Sequence, residues 1–334
     1  MNYEEAVAYI EDIPRFTTKN SLDHTRECLR RLGDPQKKFR VIHVAGTNGK
    51  GSTCAFITSV LREAGYSCGL FTSPHLVEIN ERFQINEENI DDDTFLKAFE
   101  RVKSLADELV EEGSYHPTYF EMLFLMGMVI FAEAKVDYVT LETGLGGRLD
   151  ATTAVENPAA CVITSISLDH VEYLGDTIEK IAAEKAGIIK NGIPVVAVDE
   201  ENGAFPVIER TAKEKNAPVY GLKSQELTIL KKCENTIDFS INSRYYKISN
   251  LKVKTYASYQ VQNAALAALA AHVLLPDLAE NVIRNGILEM FWAGRMEEIA
   301  ENVYVDGAHN PGAVHQIYNS LTDSDKEWLL LFAV

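Results

Sequence analysis

The chain has 334 residues, of which 46% are hydrophobic and 24% charged, enough for one large packed domain and part of another. A formal net charge of -17 is the reverse of the basic surface that nucleic acid or an anionic membrane requires, so both are excluded as partners. An anionic ligand must then be held locally, by backbone amides, metal ions and a few placed cations.

The N-terminal MNYEEAVAYIEDIPRF is acidic and amphipathic, without the basic start and apolar run of a secretory signal. Val41 to Ala45, a β-branched run, predicts a strand. The glycine-rich GTNGKGS of Gly46 to Ser52 follows, and Ser52 to Ala64 has a helical pattern. Further strands are predicted at Ser67 to Phe71, Val136 to Glu142, Ala160 to Ile166 and Ile193 to Val198. The apolar stretch Tyr119 to Ala132 carries Glu121 and is shorter than the ~20 residues of a membrane span, so it predicts a buried helix. Near-continuous apolar strands alternating with helices imply an α/β fold, a mostly parallel sheet flanked by helices.

Between Glu226 and Thr255 short alternating segments predict a small antiparallel sheet, and the alanine-rich Asn263 to Ala271 predicts a helix, with a shorter one through Glu289. After Arg295 a strand at Asn302 to Asp306, a loop, a helix and a strand at Trp328 to Val334 are expected. Only 39 residues follow Arg295, fewer than the ~50 of the smallest independent domains, so residues 1–294 are expected to form one domain and 295–334 an incomplete, Rossmann-like α/β second one. The five cysteines, spread without a CxxC pair, fit reduced thiols and a cytoplasmic location.

The strongest chemical signal is GTNGKGS, set between a strand and a helix where backbone amides and the helix dipole converge on an anion. Thr47, Asn48, Gly49 and Gly51 would supply that phosphate cradle, Lys50 a charge for the terminal phosphates, and Ser52 a hydroxyl for Mg²⁺. The loop departs from the common GxxxxGK[ST] pattern, because Val44 stands at the first glycine and Gly51 separates Lys50 from Ser52. Glu142 ends a strand and precedes TGLGG, which puts a candidate magnesium ligand at the sheet's C-terminal edge. His170 follows another strand, where a histidine is more often structural than a ligand. On its own pattern Lys185, inside TIEKIAAEKAGIIK, is a surface lysine paired with a nearby glutamate. Ser73 belongs either to a Ser-Pro turn or to a loop near the phosphates.

GTNGKGS resembles the ATP loop of the Mur ligase superfamily, and IHVAGTNGKGS resembles its folylpolyglutamate synthase / dihydrofolate synthase branch. FTSPHL, ERF, ETGLGGRLDAT, SLDHVEYLG, EKAGIIK, AGRMEE and DGAHNP continue the likeness in register over nearly the whole chain. The resemblance implies a P-loop ATPase domain that joins L-glutamate to the carboxylate of folate or dihydropteroate through an acyl phosphate, in a monomer. It implies two Mg²⁺ sites drawing on Ser52, Ser73, Glu142, His170 and a carbamylated Lys185. Asn263, Arg295, Asp306 and His309 would contact the nucleotide or glutamate, although Tyr259 stands where a histidine commonly precedes the glutamine. Arg82, Phe83 and Phe120 are candidates for a pterin or aminobenzoate pocket. Rival readings are a cell-wall peptide ligase, against which TSPHL and ETGLGGRLDAT weigh, and a nucleotide-controlled regulatory protein without turnover. With the second domain incomplete, the expectation is Mg-ATP binding with weak or absent ligation.

Overall fold

The computed structural model describes residues 1–14, 20–233, 235–322 and 327–332. Eight strands form the main sheet: β1 (Arg40–Ala45), β2 (Cys68–Phe71), β3 (Phe83–Ile85), β4 (Glu88–Asn89), β5 (Tyr138–Glu142), β6 (Ala160–Ile163), β7 (Val195–Val198) and β8 (Val219–Leu222). Their order is β4-β3-β2-β5-β1-β6-β7-β8. From β2 through β8 neighbours are parallel, while β3 and β4 add an antiparallel edge.

The helices are α1 (Tyr3–Asp12), α2 (Leu22–Arg31), α3 (Lys50–Glu63), α4 (Asp92–Glu111), α5 (Tyr119–Glu133), α6 (Val171–Leu174), α7 (Ile178–Ala186), α8 (Ala204–Glu214), α9 (Tyr259–Leu274), α10 (Glu280–Glu289) and α11 (Pro311–Thr322). Alternate side chains of β1 sort to opposite faces, as strand geometry requires. Val41 joins a core with α1, α2, α4 and α5, whereas Ile42 and Val44 join one with α3, α9 and α10. Both faces are therefore covered, which is why β1, β5, β6 and β7 are buried almost throughout. Helix α5 is apolar on every side and starts at a capping box between Thr118 and Glu121, so it is interior, as its composition predicts.

Strands β9 (Leu227–Lys232), β10 (Ile237–Asn242) and β11 (Lys247–Val253) form the small antiparallel sheet, whose buried residues Ile237, Phe239 and Ile241 join the α3–α9 core. Past residue 294 the chain makes the antiparallel hairpin β12 (Arg295–Ala300) and β13 (Val303–Asp306), then α11. Strand β12 is additional to the predicted elements; it is half-exposed and lacks an apolar run. The strand expected from Trp328 is not formed over the described residues 327–332. Leu329 to Phe332 are exposed, and Trp328 instead packs edge-on against Tyr256 and Tyr304. Val334 and, at the other end, Arg15 and Phe16 lie outside the described residues.

Sheet growth reverses at β1. From there the chain goes to β2, two places to one side, then fills the gap with β5, and finally opens the other side with β6. Such a reversal leaves a crevice beyond the strands' C-terminal ends. Val44 pairs with Glu142 and Ala45 with Ile163, so the loops after β1, β5 and β6 begin at one level and converge.

Candidate active site

The loop after β1 is braced by the loop after β6. Thr47 N donates to Ser165 O at 2.8 Å and Thr164 Oγ1 to the Asn48 carbonyl at 2.7 Å, while Thr47 Oγ1 and Ser167 bond through both backbone groups of the serine. Gly49 is the N-cap of α3 at φ 82°, and a Cβ there would lie 2.3 Å from Asn263 Oδ1. Only glycine takes both the left-handed turn and the close approach. The N-terminus of α3 therefore opens into the crevice, with Lys50 Nζ folded back on the Thr47 carbonyl at 3.0 Å. Buried Ser52 Oγ accepts from Gln260 Nε2 at 3.1 Å, and Asn263 Nδ2 donates to Gln260 Oε1 at 2.9 Å, so α9 supports the cradle from behind.

Glu142 is 4% exposed, and its Oε2 accepts Ser73 N at 3.2 Å. Burial raises its pKa against the pull of Lys50, the Ser73 amide, Arg295 and Arg82. Lys185 corrects the surface-lysine reading. It is 4% exposed, and its Nζ donates to the Gly46 carbonyl at 2.6 Å. Burial and then the neighbouring Lys50 charge lower its pKa to about 7, with Asp169 and Asp150 opposing. Its position depends on LGGRLD: a Cβ on Gly147 would lie 2.6 Å from the Glu184 carbonyl, so the segment lies directly on α7. Asp150 fixes that segment by accepting from Leu145 N, Thr152 N and Thr152 Oγ1.

His170 caps α6 in the left-handed region at φ 46°, with an exposed side chain whose Nε2 is 3.9 Å from Asp169 Oδ1. Among the described residues no group of three or more His, Cys, Asp or Glu is arranged to hold a metal ion. The donors facing the crevice include the Glu142 carboxylate and the Ser52 hydroxyl, hard oxygens of the kind Mg²⁺ takes together with phosphate oxygens and water. As an ammonium Lys185 donates to Gly46 O and has no lone pair for a metal.

Ser73, Arg82 and Phe120 line the same cleft of about 1060 Å³ as the phosphate loop. Arg82 is buried, donates to His75 Nδ1 at 2.9 Å and lies over the Tyr119 ring at 5.8 Å. The ring of Phe120 covers Gly144, where a Cβ would be 2.6 Å from its Cζ. Phe83 is a correction: it is fully buried against Phe71 and Phe95 and does not reach the cleft, because its side of β3 faces the α4–α5 core.

Asn263, Arg295, Asp306 and His309 reach the cleft from α9 and the 295–322 unit. Asp306 is a clasp: Oδ2 takes the Tyr259 hydroxyl and Met296 N, and Oδ1 takes Ala308 N. Tyr259 thus has a partner suited to the residue that departs from the family pattern. Arg295 Nη1 donates to the Gly294 carbonyl at 3.0 Å, and His309 Nδ1 is 2.9 Å from the Gly307 carbonyl. Asp169, absent from the sequence-derived site, also lines the cleft, and Asn310 behind it meets Asp169 at 3.0 Å beside Asn48. The Asn-Pro step before a helical run marks Asn310 as a helix cap, but nothing local reveals its distant partners.

The Mur ligase middle domain family matches residues 44–271. Dihydrofolate synthase/folylpolyglutamate synthase of Bacillus subtilis is 39% identical over 327 residues, 96% of this chain and 76% of that protein. Folylpolyglutamate synthase of Lacticaseibacillus casei is 35% identical over 333 residues, 96% and 77% of the two chains. Among solved structures, an FPGS-AMPPCP-folate complex superposes with a TM-score of 0.90 at 33% identity, covering 97% of this chain and 80% of that one. Mycobacterium tuberculosis folylpolyglutamate synthase complexed with ADP gives 0.88 at 28% identity, covering 96% and 73%. This chain thus spans about three-quarters of the length of these two curated relatives.

Proposed function

The chain belongs to the Mur ligase family, in its folylpolyglutamate synthase and dihydrofolate synthase branch, and on that premise we propose that it joins L-glutamate to a folate or dihydropteroate carboxylate at the expense of ATP. The observation that carries this reading is that one cleft collects these groups. It is lined at once by the phosphate loop, by buried Glu142 and Lys185, and by Arg82, Tyr119 and Phe120, which would receive the acceptor.

A carboxylate is a poor electrophile and must be activated before an amine attacks it. The backbone amides at the start of α3 and the Lys50 ammonium hold the triphosphate, and the acceptor carboxylate oxygen attacks the γ-phosphorus. The bond from γ-phosphorus to the bridging oxygen breaks, ADP departs and an acyl phosphate remains. The neutral amine of glutamate then attacks the acyl carbon, the carbon–oxygen bond to phosphate breaks, and a proton leaves the nitrogen. Arg295 and Lys50 supply positive charge as the oxyanion develops. Closure by the 295–322 unit keeps water from the acyl phosphate.

The donor set fits Mg²⁺, which Ser52, Glu142 and His170 would hold, with Ser73 at the margin. When bound it neutralises phosphate charge. Lys185 is suited to carbamylation, because an amine with a pKa of about 7 is largely neutral at slightly alkaline pH and can attack carbon dioxide, losing a proton to solvent. The carbamate would replace the bond to Gly46 O and give Lys185 the oxygen ligands that its amine lacks. Residues from 295 onward act as the start of the glutamate-side domain, and the enzyme works as a monomer. Five free cysteines suit the cytoplasm, and none of the described helices is long and apolar enough to cross a membrane.

The test is ADP release with Mg-ATP, glutamate and either dihydropteroate or a folate monoglutamate. Release that requires both acceptor and glutamate supports ligation, and the productive acceptor assigns the branch. Release indifferent to both would overturn it.

A further inference from the structure

Asn48 of the phosphate loop and Asn310 of the 295–322 unit are 262 residues apart in sequence and meet through their side-chain amides. Asn310 Nδ2 donates to Asn48 Oδ1 at 2.9 Å, and Asn48 Nδ2 donates back to Asn310 Oδ1 at 3.2 Å. Asn310 Nδ2 also reaches Asp169 Oδ2 at 3.0 Å, and Asn310 Oδ1 accepts Ala313 N at 2.9 Å as the cap of α11. Asn310 is 6% exposed, whereas Asn48 and Asp169 are half-buried, so these bonds are partly sheltered from water. Asn48 therefore has two separable roles. Its backbone, held by Thr164 Oγ1, belongs to the cradle, while its side chain reaches the second unit and also donates to Ser167 Oγ at 3.3 Å.

We infer that Asn310 is a positioning residue: its reciprocal amide pair with Asn48, braced by Asp169, latches the 295–322 unit over the phosphate cradle and so controls how well the site closes on the acyl phosphate. The part concerning the acyl phosphate rests on the ligase reading; the latch itself does not. The amide is required because the pair needs a donor and an acceptor on each side. Aspartate at 310 could still cap α11, but it would present a carboxylate to Asn48 Oδ1 and Asp169, where the native residue donates. The unit is also held by the Tyr259–Asp306 bond, by Ser320, which meets Ser258 Oγ at 3.0 Å and accepts Lys232 Nζ at its carbonyl, by Asn235 on Glu298, and by the aromatic group of Tyr256, Tyr304 and Trp328; none of these bonds involves Asn48 or Asn310.

The experiment is amide hydrogen exchange over residues 311–322 in the whole chain, comparing wild type with Asn310→Asp, Asn48→Ala and the double variant. Each single variant should speed exchange there by roughly twofold to tenfold, the range for losing one or two net hydrogen bonds, and the double variant little more than either single one. Asn48→Ala is decisive because it leaves α11 and its cap untouched. Wild-type exchange in both single variants would overturn the latch, whether or not the chain forms amide product. With ligation established by the wild type, both variants should also consume more ATP per amide formed, a ratio that partial unfolding alone would not move; an unchanged ratio would overturn the role in closure.

Discussion

Lys185 Nζ donates to the carbonyl of Gly46, the first residue of the phosphate loop, at 2.6 Å across 139 positions of sequence. A buried lysine thus holds the base of the cradle. Its positive charge is costly there, since burial and Lys50 both disfavour it.

That cost sets a pH dependence. The folded-state pKa of about 7 lies below the ordinary 10.5. Below pH 7 the amine is charged in both states, and the burial cost is present in full. Between about 7 and 10.5 the unfolded chain binds more protons, so stability rises with pH. Urea unfolding in CO₂-free buffer should therefore show wild type gaining on Lys185→Met as pH rises from 7 to 10. A pH-independent difference would mean that the amine titrates normally.

Glu142 must be ionised to serve beside phosphates, yet burial raises its pKa. Activity should accordingly rise with pH along an acid limb displaced above the usual carboxylate range. Glu142→Gln should lower kcat/KM by about 100-fold or more and abolish that limb. A pH–rate profile of both proteins decides the matter; an unchanged limb in the variant would assign it to another group.

Gly49→Ala places a methyl against Asn263 and forces a left-handed alanine at the start of α3. The expected result is at least tenfold (~1.4 kcal/mol) weaker nucleotide binding with a small change in Tm, read by calorimetric titration of ATP. Normal affinity would show that the loop tolerates reshaping.

Two phenylalanines should separate core from pocket. Phe83→Ala empties a fully buried site and should cost about 3–5 kcal/mol of stability. Phe120→Ala, on a half-buried ring lining the cleft, should cost about 1–2 kcal/mol and raise KM for the acceptor several-fold. Thermal unfolding and steady-state kinetics on the pair test this; an acceptor KM altered equally by both would blur the assignment.

Much of this site was legible in sequence, for reasons that particular residues illustrate. Apolar strands announced themselves because both sheet faces are covered, and Gly46 to Ser52 stood out because a strand and a helix bracket it. Glu142 and the phosphate loop share a sheet level through the Val44–Glu142 pairing, which follows once the parallel order is known. The burial of Lys185 was not legible, since the helix TIEKIAAEKAGIIK looks amphipathic while LGGRLD, which covers it, lies about 40 residues earlier. Phe83 was carried into the pocket by resemblance, and misled because a lone aromatic reads alike in a core and in a pocket. Strand β12 and the missing strand at Trp328 share a cause: pairing partners, not local propensity, decide short segments.

The most direct measurement of the central claim is transfer of oxygen from acceptor to phosphate. With the acceptor carboxylate labelled with ¹⁸O, attack of that carboxylate on the γ-phosphate requires one labelled oxygen in each phosphate released with amide product. Amide formed with unlabelled phosphate would contradict activation as an acyl phosphate in this cleft.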